Sequence, residues 1–168
     1  MAERAGDPPL HKFWWLHDAR WYQGVMKRYG QEAANEINAE AMLFVARRVA
    51  RWYTARHDVD FEKLPMDEFV DRFKEIPRVM WPEDMTNYQH HAVGPDTFET
   101  VVTEHFALKM LKAARSFDSY RCPCLEMRAG WFEGMGLTVE DSRSECMTSG
   151  SEVCRFRATV RRTDPDPA

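Results

Sequence analysis

The chain has 168 residues, of which 44% are hydrophobic and 30% charged, enough for one domain with its own core and too apolar for a disordered chain. Its net charge is −4, and its basic residues are scattered rather than gathered into a patch, which argues against nucleic-acid or anionic-membrane binding. No stretch approaches the ~18 apolar residues of a membrane span, and the opening MAERAGDPPLHKF has no apolar run that would serve as a signal peptide. The chain therefore reads as cytoplasmic. In that compartment its four cysteines are expected to be free, metal-bound or catalytic rather than disulfide-paired.

In chain order, residues 1–10 read as a polar, Pro-containing mobile end. From about His11 to Tyr29, Trp14, Trp21, Val25 and Tyr29 recur at helical spacing, and Gly30 closes the segment. A longer helix follows, about Glu32 to Arg56, with a stripe of Ala34, Ile37, Ala41, Val45, Val49 and Trp52. A third runs roughly from Met66 to Ile76, with Phe69, Val70 and Phe73 on one side and Pro77 at its end. Residues 77–95 hold three prolines and a glycine and read as an ordered loop or lid that carries His90 and His91. Asp96 and Glu99 match a capping box, which predicts a fourth helix to about Ser116.

The last third changes character. A short helix is expected from about Leu125 to Glu133, and after Gly136 come two strand-like runs, 137–146 and 153–161. In the second run Cys154, Phe156, Ala158 and Val160 alternate with Arg155, Arg157, Thr159 and Arg161, the period of a half-buried strand. Residues 162–168 read as a second mobile end. The expected class is α+β in a single domain, 1–168. Its mainly helical part, 11–116, packs on a small antiparallel sheet, and the cysteine-containing part, 117–161, ends in a β-hairpin. Two strands alone are marginal, so a further strand is expected beside them, from this chain or from the second copy of a homodimer.

The stretch SECMTSGSEVCRF places Cys146 and Cys154 symmetrically about a turn at Gly150. Opposite each other in a hairpin, their Cβ atoms would stand ~5 Å apart. Cys122 and Cys124 flank Pro123, which stiffens the pair. Four thiolates from two local pairs would make a closed structural metal site, with zinc the first choice, since C-x-C and C-x7-C match no common iron–sulfur run. Three thiolates with a water or a carboxylate would make an open site. The alternatives are small buried hydrophobes, or a redox-active cross-strand pair.

Polar residues also fall on apolar stripes. His17 and Asp18 lie between Trp14 and Trp21, Asn38 lies beside Ile37 and Ala41, and His105 lies between Val102 and Leu108. Buried polar groups need partners, so these residues either bond one another or face a ligand. His17, Asp18 and His105 are the candidate acid–base groups. Trp14, Trp21, Asn38 and Glu140 are the candidate ligand contacts. Glu140, Ser142 and Ser144 would share the face of Cys146 in a regular strand, opposite an apolar wall; a β-bulge would change that.

The run GWFEGMGLTVEDSRSECMTSGSEVCRF resembles the C-terminal part of the 4-vinyl reductase domain, over roughly residues 117–160. The run WWLHDARWYQGVMKRYGQEAANEIN is similar to a bacterial family grouped with L-2-amino-thiazoline-4-carboxylic acid hydrolase-like proteins, which share a late Cys…Cys-x-Phe ending. The first resemblance implies a small-molecule-binding α/β module. In phenol-sensing regulators that module holds a structural zinc through three cysteines and a glutamate. Cys146 and Cys154 correspond to two of those cysteines, but Arg143 stands where the glutamate is expected, and an arginine cannot ligate zinc. Cys122 and Cys124 together would supply the missing ligand.

Two functions follow as expectations. One is a small-molecule-binding domain with zinc on Cys122, Cys124, Cys146 and Cys154. The other is a hydrolase of a small heterocyclic or amide substrate, with His17 and Asp18 as acid–base groups and a cysteine or a zinc-bound water as nucleophile.

Overall fold

The computed structural model describes residues 10–113, 116–117 and 119–162, so most of both polar ends lies outside the described residues. Two long helices come first, α1 (Leu10–Tyr29) and α2 (Gln31–His57), followed by two short ones, α3 (Met66–Phe73) and α4 (Glu75–Met80). Strands β1 (Thr86–Ala92) and β2 (Thr97–His105) lead to α5 (Phe106–Ala113) and α6 (Cys124–Met135), and β3 (Thr138–Glu145) and β4 (Cys154–Arg161) form the final hairpin. The class is α+β, as the sequence suggests, with a four-stranded antiparallel sheet in the order β1-β2-β4-β3. The extra strands the hairpin needs come from this chain.

Those two strands correct the sequence reading of 77–116. Pro77 does not end the helical region; it sits in the first turn of α4, where its missing N–H has no intrahelical partner to lose. His90 and His91 lie on β1, not on a lid. Asp96 and Glu99 do not open a helix. The segment TFETVVTEH is rich in Thr and Val, whose branched side chains suit a pleated surface, and Phe98 and Thr100 are buried on one face of β2. The Asp96 carboxylate instead accepts a hydrogen bond from Arg162 Nε at 2.6 Å.

The inward face of α2 also differs from the stripe the sequence suggests. Ala34, Ala39, Ala46, Ala50 and Tyr53 are buried, while Ile37, Val45 and Trp52 are exposed. The cause is α6. A Cβ built on Gly134 would lie 2.5 Å from the carbonyl oxygen of Arg47 and 2.7 Å from Ala50 Cβ, and one on Gly130 would meet the carbonyl of Leu43. Only Gly against Ala lets two helices come so close, so small residues take the interface and larger ones are turned outward. Gly136, at φ 79°, then ends α6 in the left-handed conformation and starts β3.

The opposite side of α6 meets the sheet. The inner face carries Phe98 on β2 and Phe156, Ala158 and Val160 on β4. Phe73 of α3 packs edge-on against Phe98 and stacks on Phe132 of α6, with centroids at 5.3 and 5.7 Å. The outer face is polar. Arg155 pairs with Glu145 at 2.7 Å, and Arg161 pairs with Glu140. One dry and one wet face is the usual economy of an antiparallel sheet.

Candidate functional site

Between α6 and the β1–β2–β4 end of the sheet the packing opens into a cavity that offers about 70 Å³ to the centre of a water-sized sphere. Tyr88, His90, Thr100, Val102 and Phe156 form its sheet wall, and Met127, Arg128 and Trp131 of α6 form the opposite wall. Trp15 of α1 and Trp81 cover it, their rings stacked at 5.1 Å and the Trp15 indole donating to the Met80 carbonyl at 3.2 Å.

The walls are mostly apolar, but five of the residues that line them each carry a buried side-chain polar atom with no hydrogen-bond partner among the described residues. The atoms are Trp81 Nε1, Trp131 Nε1, Thr86 Oγ1, His90 Nε2 and His105 Nδ1. An unsatisfied buried donor or acceptor costs about 1–3 kcal/mol, so a folded chain rarely keeps several together unless something else satisfies them. Burial holds His105 neutral, lowering its pKa to about 4. Burial, with the nearby Arg128 charge, lowers that of His90 to about 3.

Arg128 is 2% exposed and organises this wall. Its Nη2 donates to Asp141 Oδ1 at 2.9 Å and its Nε to Asp141 Oδ2 at 2.5 Å, a bidentate ion pair. Its Nη1 donates to Thr100 Oγ1 at 3.0 Å. Thr100 Oγ1 in turn lies 2.8 Å from His90 Nδ1. The guanidinium also lies 4.8 Å from the centre of the Phe156 ring and 5.4 Å from that of Phe132, where a cation gains from the ring faces. Nothing in the sequence singled out Arg128. The signal for it is Asp141, which a β-bulge turns inward.

That bulge falls between Arg143 and Glu145. It puts Val139, Asp141 and Arg143 opposite Val160, Ala158 and Phe156 on the inner side. Glu140, Ser142 and Ser144 are exposed on the outer side, so Glu140 is not a cavity residue. Past the bulge, Cys146 turns inward, and its sulfur lies 3.9 Å from that of Cys154. Cys122 and Cys124 complete the group, their sulfurs 2.9 Å apart, with Phe156 and Cys146 packed against them. The four cysteines thus come together as expected, at the end of the cavity that Cys122, Cys124 and Cys154 line.

As neutral thiols, Cys122, Cys146 and Cys154 are hard to ionise. The hydrogen bond from Cys122, together with burial, pushes Cys146 up to about 12, and burial pushes Cys154 up to about 11. The bond to Cys124 raises Cys122 as well. Although burial opposes its charge, the neighbouring cysteines, Cys146 first, hold the Arg143 guanidinium above its ordinary pKa. Among the described residues, no group of three or more His, Cys, Asp or Glu is already arranged around a metal position.

The other sequence candidates divide. His105 lines the cavity, though at the end of β2 rather than on a helix. Asn38 lines it too, and donates to the Tyr120 hydroxyl at 3.4 Å. His17 and Asp18 are on the surface, their side chains 63% and 61% exposed and 3.4 Å from each other, and neither lines the cavity. Trp14 and Trp21 are 66% and 51% exposed and border an open groove between α1 and α2. The buried residues of α1 are Tyr22 and Val25, so the stripe read through Trp14 and Trp21 is rotated from the inward one. Thr86, Trp81, Arg128 and Trp131 are among the cavity residues that sequence reasoning missed, while His90, read there as part of a lid, lines the cavity from β1.

No protein-family model matches the chain, and no curated protein matches it. Solved structures do match its fold. The phenol-responsive sensory domain of the transcription activator PoxR, solved with phenol, is 13% identical, with a TM-score of 0.60 over 87% of this chain and 73% of that one. Trafficking protein particle complex subunit 3 from Naegleria fowleri, solved covalently bound to palmitic acid, is 12% identical, with a TM-score of 0.58 over 90% of this chain and 95% of that one. At these identities the likeness is one of fold. No helix among the described residues is long and apolar enough to cross a membrane.

Proposed function

We propose that this chain is a small-molecule-binding domain whose cavity takes a compact aromatic molecule with one polar substituent, and whose four cysteines hold a structural zinc. The observation that carries the ligand reading is the set of five cavity-lining residues that each hold an unpartnered buried polar atom in a mostly apolar wall. Apolar walls with a few convergent polar groups are the general form of a ligand site. The PoxR domain of similar fold was solved with phenol, which has this chemistry. A long acyl chain, as in the palmitate-bound structure, would leave the cavity donors unsatisfied.

The zinc reading rests on the donor set. Zn–S bonds of ~2.3 Å put tetrahedral sulfurs ~3.8 Å apart. The Cys146–Cys154 separation of 3.9 Å fits this. The Cys122–Cys124 pair is closer, and would open by roughly 1 Å on binding. Zinc would keep the thiols as thiolates, and Arg143, beside all four, would offset part of the negative charge of a four-thiolate site. The hydrolase alternative gains no comparable support, because His17 and Asp18 lie on the surface, away from the cavity.

Phenol titrated into purified protein should raise the melting temperature saturably, while a long-chain fatty acid should not. A melting curve unmoved by phenol and other single-ring compounds overturns the ligand reading.

A further inference from the structure

His90 lines the cavity and, among the described residues, is the member of the Arg128 network with an unpartnered buried atom, Nε2, and the network decides what that atom is. Arginine can only donate, so Arg128 Nη1 takes one lone pair of Thr100 Oγ1. Among the described residues the Thr100 hydroxyl bonds only to Arg128 and His90. Giving its single proton to His90 Nδ1 is the arrangement that leaves no proton of this network unused. A neutral imidazole that accepts at Nδ1 carries its proton on Nε2. The chain of contacts from Asp141 through Arg128 and Thr100 thus ends in an N–H that points at no protein acceptor.

Two further unpartnered cavity atoms, Trp81 Nε1 and Trp131 Nε1, belong to indoles, which can only donate. With His90 Nε2–H this makes three fixed donors against no fixed acceptor. Thr86 and His105 adapt to either role. The one buried positive charge on the wall, Arg128, is already matched by Asp141.

We propose that Thr100 is a positioning residue that locks His90 as an Nε2–H donor, and that the cavity therefore selects neutral aromatic carbonyl compounds, whose oxygen accepts and has no proton to place. This deepens the ligand-binding reading and rests on it.

Acetophenone and toluene, close in shape but with and without the acceptor, separate the two readings when titrated calorimetrically into the full chain. Wild type should bind acetophenone at least ten times more tightly than toluene. Thr100→Val keeps the side-chain shape and frees His90 Nδ1, and should remove most of that preference by weakening acetophenone binding far more than toluene binding. Nitrogen-15 NMR of the histidine rings reads the tautomer directly, without ligand. The Nε2–H pattern is expected for His90 in wild type, and it should be lost in Thr100→Val. Equal binding of the two probes, or an Nδ1–H pattern in wild type, overturns the proposal while the ligand-binding reading stands. Binding of neither probe overturns the proposal, and if phenol also fails to bind, the ligand-binding reading falls with it.

Discussion

Two sets of residues that line or border the cavity are opposite in chemistry and in how they are held. In one, four cysteines, brought together by the Cys-Pro-Cys segment and the β3–β4 turn, present soft donors beside the Arg143 guanidinium. In the other, His90, His105, Trp81 and Trp131 carry hard N–H and N groups, with a completed ion pair between Arg128 and Asp141 behind His90. The sulfur set is unfinished without something that binds sulfur. The nitrogen set is complete as a scaffold and unfinished only at its unpartnered atoms. The difference teaches where to look for each ligand: a metal between the sulfurs, an organic acceptor between the nitrogens.

The largest test of that contrast is to remove the sulfur set. Purified protein should carry about one zinc per chain by elemental analysis, and Cys146→Ser or a strong chelator should unfold it. Structural zinc contributes on the order of 10–16 kcal/mol, as much as a whole domain's stability. A metal-free protein that melts like the wild type would end the zinc proposal.

The nitrogen set should break more gently and without metal. Arg128→Met leaves the Asp141 carboxylate, whose side chain is 10% exposed, without its cation, and should cost about 3–5 kcal/mol in a urea melt. Asp141→Asn added to Arg128→Met should recover part of that, because no unpaired charge then remains. Full stability of the single variant would show that the pair contributes nothing.

The smallest effect is one of pH. His90 and His105 sit near 3 and 4 in the folded chain against about 6.5 when unfolded. Below 6.5 the unfolded chain therefore binds more protons, so stability present above 6.5 is lost as the pH falls towards 3–4. His105→Phe should flatten the slope of unfolding free energy between pH 6.5 and 4. Comparing it with wild type cancels the loss of metal that acid also causes. An unchanged slope would mean that His105 titrates normally.

Legibility divides along the same line. The sulfur set was readable because its order is local: a period-2 strand, a turn at Gly150 and two cysteines equidistant from it place Cys146 beside Cys154 without knowledge of the rest. The nitrogen set was not. β1 and β2 were hidden by prolines and by a four-residue capping pattern, and the tertiary partner that makes TFETVVTEH a strand is β4, some 55 residues away. Arg128 gave no signal, since a lone arginine in a helix usually points to water.

The amino-acid sequence by itself determined the α+β class, the two long helices, the final hairpin and the placing of Cys146 across from Cys154, because each follows from periodicity or short spacing. Only the tertiary structure decided which faces turn inward. Gly130 and Gly134 draw α2 so close that its alanines are buried and Ile37, Val45 and Trp52 are left outside. A single bulge after Arg143 sends Glu140 outward and Cys146 inward. Both outcomes depend on how near a second element can approach, a steric fact that no hydrophobic stripe within one element encodes.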